Sequence, residues 1–152
     1  MTKRNVKHAT IVLERKYAAL PERVFTAWAE PEARLRWGPP SDTAAIAFLE
    51  TDFRIGGRDI SKCGSKGNLI FHVDTRYEDI VPAQRIVMVE TVSTAEARLA
   101  SSLITIELKA EGAMTRLVLT DQIAAFDDSD MIAGSKAGWD ASLDNLTKEL
   151  SR

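Results

Sequence analysis

The C-terminal segment constrains the architecture most. Trp139, Leu143, Leu146 and Leu150 recur at spacings of four, three and four, the stripe of a long amphipathic helix. Lys136, Asp140, Asp144 and Lys148 make a separate polar stripe. Asp127-Asp128-Ser129-Asp130 offers N-cap residues and negative charge where this helix is expected to begin. Such a helix needs a broad apolar surface to lie on. The chain before it supplies a sheet and no other candidate.

That sheet is read from short segments divided by turn residues. Ala9 to Tyr17 starts β-branched and predicts a first strand. Pro21-Glu22 then opens a short helix carrying Val24, Phe25 and Trp28, and Pro31-Glu32 opens a second with Leu35 and Trp37. Proline suits a first helical turn because it has no N–H to lose there. Gly38-Pro39-Pro40 ends the pair. Extended segments follow at Thr43 to Phe53, Arg58 to Cys63, Leu69 to Tyr77, Arg85 to Val92, Ser101 to Lys109 and Thr115 to Gln122. Gly56-Gly57, Gly64-Ser65-Lys66-Gly67, Val81-Pro82-Ala83, Thr94-Ala95-Glu96 and Glu111-Gly112 break them. Strands joined by short turns favour antiparallel pairing.

The expected class is therefore α+β. A curved antiparallel sheet of about seven strands grips a long C-terminal helix, with two short helices after the first strand. A strongly curved sheet cannot touch a straight helix along its whole length. Ala133, Gly134, Ser135, Ala137 and Gly138 are small where the helix begins, so a cavity can persist there. Close packing without a cavity is the alternative.

The 152 residues suit one domain, 1–152, large enough to bury a core without disulfide or metal. The formal net charge of −2 lacks the basic surplus of a protein that grips a phosphate backbone, so no nucleic-acid partner is expected. Cys63 is the single cysteine; it can form no internal disulfide and no cysteine zinc site. The basic Met1 to His8 stretch is followed by Thr10 to Leu13, which Glu14, Arg15 and Lys16 interrupt at once. No secretory signal, no membrane span and a cytoplasmic location are expected.

Several segments taken in order resemble one family. Pro21-Glu22-Arg23-Val24-Phe25-Thr26-Ala27-Trp28, Pro31-Glu32 and Arg36-Trp37-Gly38-Pro39 resemble the opening signature of the activator of heat-shock-protein-90 ATPase homologue family. Asp52 to Arg58 resembles its double-glycine turn, Tyr77 to Val87 its strand–proline–strand corner, and Gly138-Trp139 with Leu143 and Leu146 its last helix. The resemblance implies the helix-grip fold of the START/Bet v-like (SRPBCC) superfamily. Arg36-Trp37 stands where the family often has two tryptophans, and Ala113-Met114-Thr115 where it often has Gly-Gly-Thr. Members that stimulate the chaperone carry an additional N-terminal domain, for which this length is expected to leave no room.

Two residues are catalytic candidates. His72 shares a strand face with Ile70 and Asp74, and an imidazole turned inward could move protons near neutral pH. A solvent-facing histidine is the alternative. Glu90 shares a face with Ile86, Met88 and Val92, where apolar neighbours would raise its pKa. Val87, Val89 and Thr91 make the opposite face nearly as apolar, which leaves the inward side open and suggests a homodimer covering the outer face. Candidate ligand contacts are Trp28, Trp37, Arg54, His72, Met88, Glu90, Ser135 and Gly138. Arg54 could clamp an anionic head, or be solvated beside Asp52. Trp28 and Trp37 could line a pocket or belong to the core.

No metal-ligand cluster, nucleophile elbow or phosphate-binding glycine loop is present in the sequence, and no cofactor is expected. The first functional reading is a module that binds a small apolar or amphipathic molecule. The second is an enzyme on the same fold, a cyclase, hydrolase or isomerase of an apolar substrate. The third, resting on the family resemblance, is a chaperone-interacting module.

Overall fold

A computed structural model describes residues 4–152. Met1, Thr2 and Lys3 of the basic N-terminal stretch lie outside the described residues. The order is β1 (Val6–Tyr17), α1 (Pro21–Ala29), α2 (Pro31–Trp37), β2 (Ala44–Glu50), β3 (Arg58–Ser65), β4 (Asn68–Val81), β5 (Arg85–Ser93), β6 (Arg98–Glu111), β7 (Met114–Phe126) and α3 (Met131–Leu150). The strands form one antiparallel sheet in the order β1-β7-β6-β5-β4-β3-β2. The long terminal helix and the two short helices complete the expected helix-grip arrangement.

Alternation decides which face is concave. On β7, Thr115, Leu117, Leu119, Asp121, Ile123 and Ala125 are all buried, and on β6 so are Ala100, Ser102, Ile104, Ile106 and Leu108. The register carries this inner face to Ile11 and Leu13 on β1 and to Ile86 and Met88 on β5. Leu143 and Leu146 of α3 complete the core, together with Val24, Ala27 and Trp28 of α1 and Trp37 of α2. At roughly 2 kcal/mol for each fully buried aliphatic or aromatic side chain, this layer dominates the stabilisation of the fold.

The main contacts of α3 are with β1, β7, α1 and α2, so it lies along one side of the trough. Polar groups hold it there. Tyr17 Oη donates to the Leu143 carbonyl at 2.7 Å, Ser142 Oγ to the Gly38 carbonyl at 2.6 Å, and Asn145 Nδ2 to the Pro39 carbonyl at 2.9 Å. The polar stripe predicted for this helix is partly used: Arg15 of β1 pairs with Asp140 at 3.0 Å and with Asp144 at 3.2 Å.

Two local details depart from the expectation. The first strand begins at Val6, three positions before Ala9, because residues 6–8 pair with 124–126. The acidic run before α3 does not cap it. Asp130 occupies the N-cap position without a side-chain hydrogen bond. Asp127 and Asp128 have positive φ and form a tight turn. Asp127 binds Arg4 at 2.8 Å and the Asn5 N–H at 3.1 Å, so part of the charge tethers the start of β1. The double-glycine turn behaves as its sequence requires. Gly56 has φ +82°, and a Cβ on Gly57 would sit 2.1 Å from the Asp52 carbonyl oxygen.

Candidate functional site

The register brings polar side chains into the otherwise apolar trough. Thr75 of β4, Glu90 of β5 and Ser102 of β6 stand in one row, and Asp59 of β3 pairs with Thr75 at its end. Asp121 enters from β7 beside Ile104, one pleat along. Five polar residues thus share the concave face with the core. Desolvation raises the pKa of two of them, Glu90 and Asp121.

Glu90 is the central member. The residue is half-buried on the concave face, paired with Thr75 on one side and Ser102 on the other. Burial pushes its pKa up to about 7, Asp121 and Asp59 add to the rise, and the hydrogen bond from Thr75 opposes it. That bond runs from Thr75 Oγ1 to Glu90 Oε2 at 3.4 Å. The carboxyl is thus poised to change protonation near neutrality.

Asp121 is 1% exposed, and burial also raises its pKa, against hydrogen bonds from Ser102 and the Trp139 indole. Its Oδ1 atom has no hydrogen-bond partner among the described residues. Trp139 stacks on Trp28 with ring centroids 5.9 Å apart, and the buried Trp28 Nε1 is likewise without a partner. Asp59 is neutralised instead. Arg34 Nη1 donates to its Oδ2 at 2.6 Å, the Tyr77 hydroxyl donates to the same oxygen, and the guanidinium lies 4.8 Å from the Phe48 ring centroid. Among the described residues no cation pairs with Glu90 or Asp121, and no cluster suited to holding a metal ion occurs.

The helix α3 lies toward the other side of the sheet. Its main contacts miss β3, β4 and β5. A Cβ built on Gly138 would meet no atom within 4 Å, whereas Gly134 is exposed to solvent. Gly138 and Ser135 are half-buried. Cys63 of β3 is partly buried on the concave face, and burial and the nearby Glu90 both raise its thiol pKa, which keeps it protonated and weakly nucleophilic.

The other sequence candidates separate. Glu90 and Met88 face inward, which resolves the side of β5 that the sequence left open; Met88 sits beside Tyr77 and is 6% exposed. Trp28 and Trp37 are core residues, 4% and 3% exposed, with ring centroids 4.7 Å apart. The Trp37 indole donates to the Ala27 carbonyl at 2.9 Å. His72 lies on the convex face and is exposed, because the even positions of β4 point away from the helix. It belongs to the solvent side and not to the interior. Arg54 is also outside: its side chain is 72% exposed and pairs with Asp52 at 2.8 Å. Arg58 turns to Asp74 on the outer surface, leaving Asp59 to Arg34 and Tyr77.

Asp59, Thr75, Ser102 and Asp121 were not singled out from the sequence. One signal was available for Asp121. It interrupts the apolar series Leu117, Leu119, Ile123 at period two, so it must share their buried face.

The sequence matches the family of activator of Hsp90 ATPase homolog 1-like proteins over residues 18–151. This chain belongs to that family. An uncharacterised Rhizobium leguminosarum protein superposes with a TM-score of 0.88 at 33% identity, covering 99% of both chains. The Mll3558 protein from Rhizobium loti superposes with a TM-score of 0.85 at 37% identity, over 95% of this chain and 99% of that one. Protein CV1439 from Chromobacterium violaceum gives 0.83 at 27% identity, over 94% and 97%. No curated protein matches. The activator-homologue family thus fixes the helix-grip fold, within which ligand binding is common, and function must be argued from the site. Among the described residues no helix is long and apolar enough to cross a membrane.

Proposed function

We propose that this protein binds a small hydrophobic or amphipathic molecule in the trough between α3 and the concave face of β3, β4 and β5. The observation that carries the reading is Glu90, a half-buried carboxyl that stands between Thr75 and Ser102 on the concave face with no cation paired to it among the described residues. The empty surroundings of Gly138 support it from the helix side. An apolar tail would lie against Val73, Val92 and Met88, with its polar end at Glu90, Thr75 and Ser102. Native mass spectrometry of gently purified protein tests this. The expected result is a stoichiometric added mass that is released on denaturation. Failure to take up any of a panel of medium-chain alcohols, acids and amines, with no added mass, contradicts it.

The protonation of Glu90 favours a second reading, an enzyme in which that carboxyl moves a proton to or from an apolar substrate. This reading expects turnover with a pH dependence centred near 7. It fails if the bound molecule is recovered unchanged after prolonged incubation across that pH range.

A further inference from the structure

The trough is unbalanced in charge. Three carboxyl groups face it, on Asp59, Glu90 and Asp121, and one guanidinium does, on Arg34. Arg34 is already tied to Asp59. Its remaining Nε and Nη2 atoms are sealed from solvent and unpartnered. No cation is within pairing distance of Glu90 or Asp121 among the described residues. The acidic excess by itself identifies no ligand. The second observation is Asp121, 1% exposed, whose Oδ1 faces the protein interior with no hydrogen bond to satisfy it. A buried carboxylate oxygen without a partner is costly, and a native structure retains one where something else compensates it.

A ligand head that offsets this acidic excess brings positive charge. An anionic head would enter a space already carrying uncompensated carboxyls, and would find Arg34 neutralised and sealed. A neutral head would leave the imbalance as it is. A protonated amine would face the half-buried Glu90, and would stand in the field of Asp121 behind Ser102. The half-buried Trp139, stacked on the core Trp28, adds an aromatic ring near Asp121, and a desolvated ammonium is attracted to such a ring. Gly138, around which an added Cβ would meet no atom within 4 Å, leaves the adjacent side of α3 open for it.

We infer that the preferred ligand is an amphipathic amine, its ammonium opposite Glu90 and Asp121 and its apolar part along Val73, Met88 and Val92. This deepens the binding reading given above and rests on it. The binding should be proton-linked. The ionisable groups facing Glu90 are Asp59 and Cys63 from β3, Tyr77 from β4, Asp121 from β7 and Arg34 from α2. Of these, Asp59 and Arg34 offset each other, and burial raises the thiol and phenol pKa values and keeps both groups neutral. Glu90 is the group that changes state near neutrality.

The test compares 1-decanol, decylamine and decanoate as probes of one chain length. Quenching of intrinsic tryptophan fluorescence reports binding to the full chain, below micelle-forming concentrations. At pH 8 the expected order is decylamine at least tenfold tighter than decanol, with decanoate weakest. At pH 5.5, where Glu90 is protonated, the preference for the amine should fall to about threefold or less. In Glu90→Gln the amine and the alcohol should bind within about twofold of each other at pH 8, since the amide carries no charge. Decanol binding with no advantage for the amine overturns this inference and leaves the cavity reading standing. Failure of all three probes overturns both.

Discussion

Replacing Glu90 by glutamine should make the protein more stable in alkaline solution while changing little in acid. The carboxyl has an ordinary pKa of 4.5 and a folded value of about 7. A group raised in this way contributes stability in its protonated form. That contribution is complete below pH 4.5 and is lost as pH rises through 7, because above 4.5 the unfolded chain ionises while the folded chain cannot do so cheaply. Every tenfold difference in acidity between the folded and unfolded carboxyl is worth about 1.4 kcal/mol, so between pH 5 and pH 8 the wild type should lose roughly 2.5 kcal/mol through this group. Glutamine keeps the shape and the contact with Thr75 and never ionises. Urea denaturation of both proteins at half-unit steps from pH 5 to 8.5 measures the difference. Asp121 is also raised and interacts with Glu90, so the gap between the curves reports Glu90 together with its coupling to Asp121. The stability gap should widen by about 2–3 kcal/mol in favour of the variant, or roughly 5–10 °C in melting temperature for a chain of this size. Parallel curves across this range would refute the placement of Glu90 in a desolvated interior.

Other consequences follow from single contacts. Gly138→Ala should stabilise the protein by about 0.5–1 kcal/mol in thermal unfolding, since the helix gains propensity and the new Cβ meets nothing; Gly138→Phe should fold but lose affinity for any molecule in the trough. Arg36→Ala should lower the urea denaturation midpoint at pH 7, because Glu149 is 5% exposed and loses both bonds of 2.7 Å that hold its carboxylate and depress its pKa. The convex face carries an uncharged row of Val12, Thr120, Thr105 and Val87 beside Gln122, Leu103 and Val89; if a second copy covers it, light scattering should give twice the chain mass, and Leu103→Lys should return the monomer.

The fold was largely legible because its signals were periodic. The leucine stripe of α3 and the alternation of β6 and β7 each state which face is buried, and the glycines and prolines mark where strands stop. The site was less legible for a physical reason. Glu90 lies on a strand with apolar residues on both faces, so period two alone could not say which side was inward. Its face follows from pairing with Thr75 and Ser102, which is a property of register between distant segments. His72 looked equally plausible from its own strand and falls outside for the same reason. The Asp127–Asp130 run misled because aspartates serve turns as readily as caps, and the positive φ of Asp127 and Asp128 commits them to the turn.

The central claim is that the space opposite Glu90 holds a ligand. A crystal structure of protein soaked with 10-bromodecanol, with data collected at the bromine absorption edge, tests it most directly. The account predicts an anomalous peak inside the trough, between α3 near Gly138 and the concave face of β3, β4 and β5. A filled interior, with bromine absent or confined to the outer surface, would contradict it.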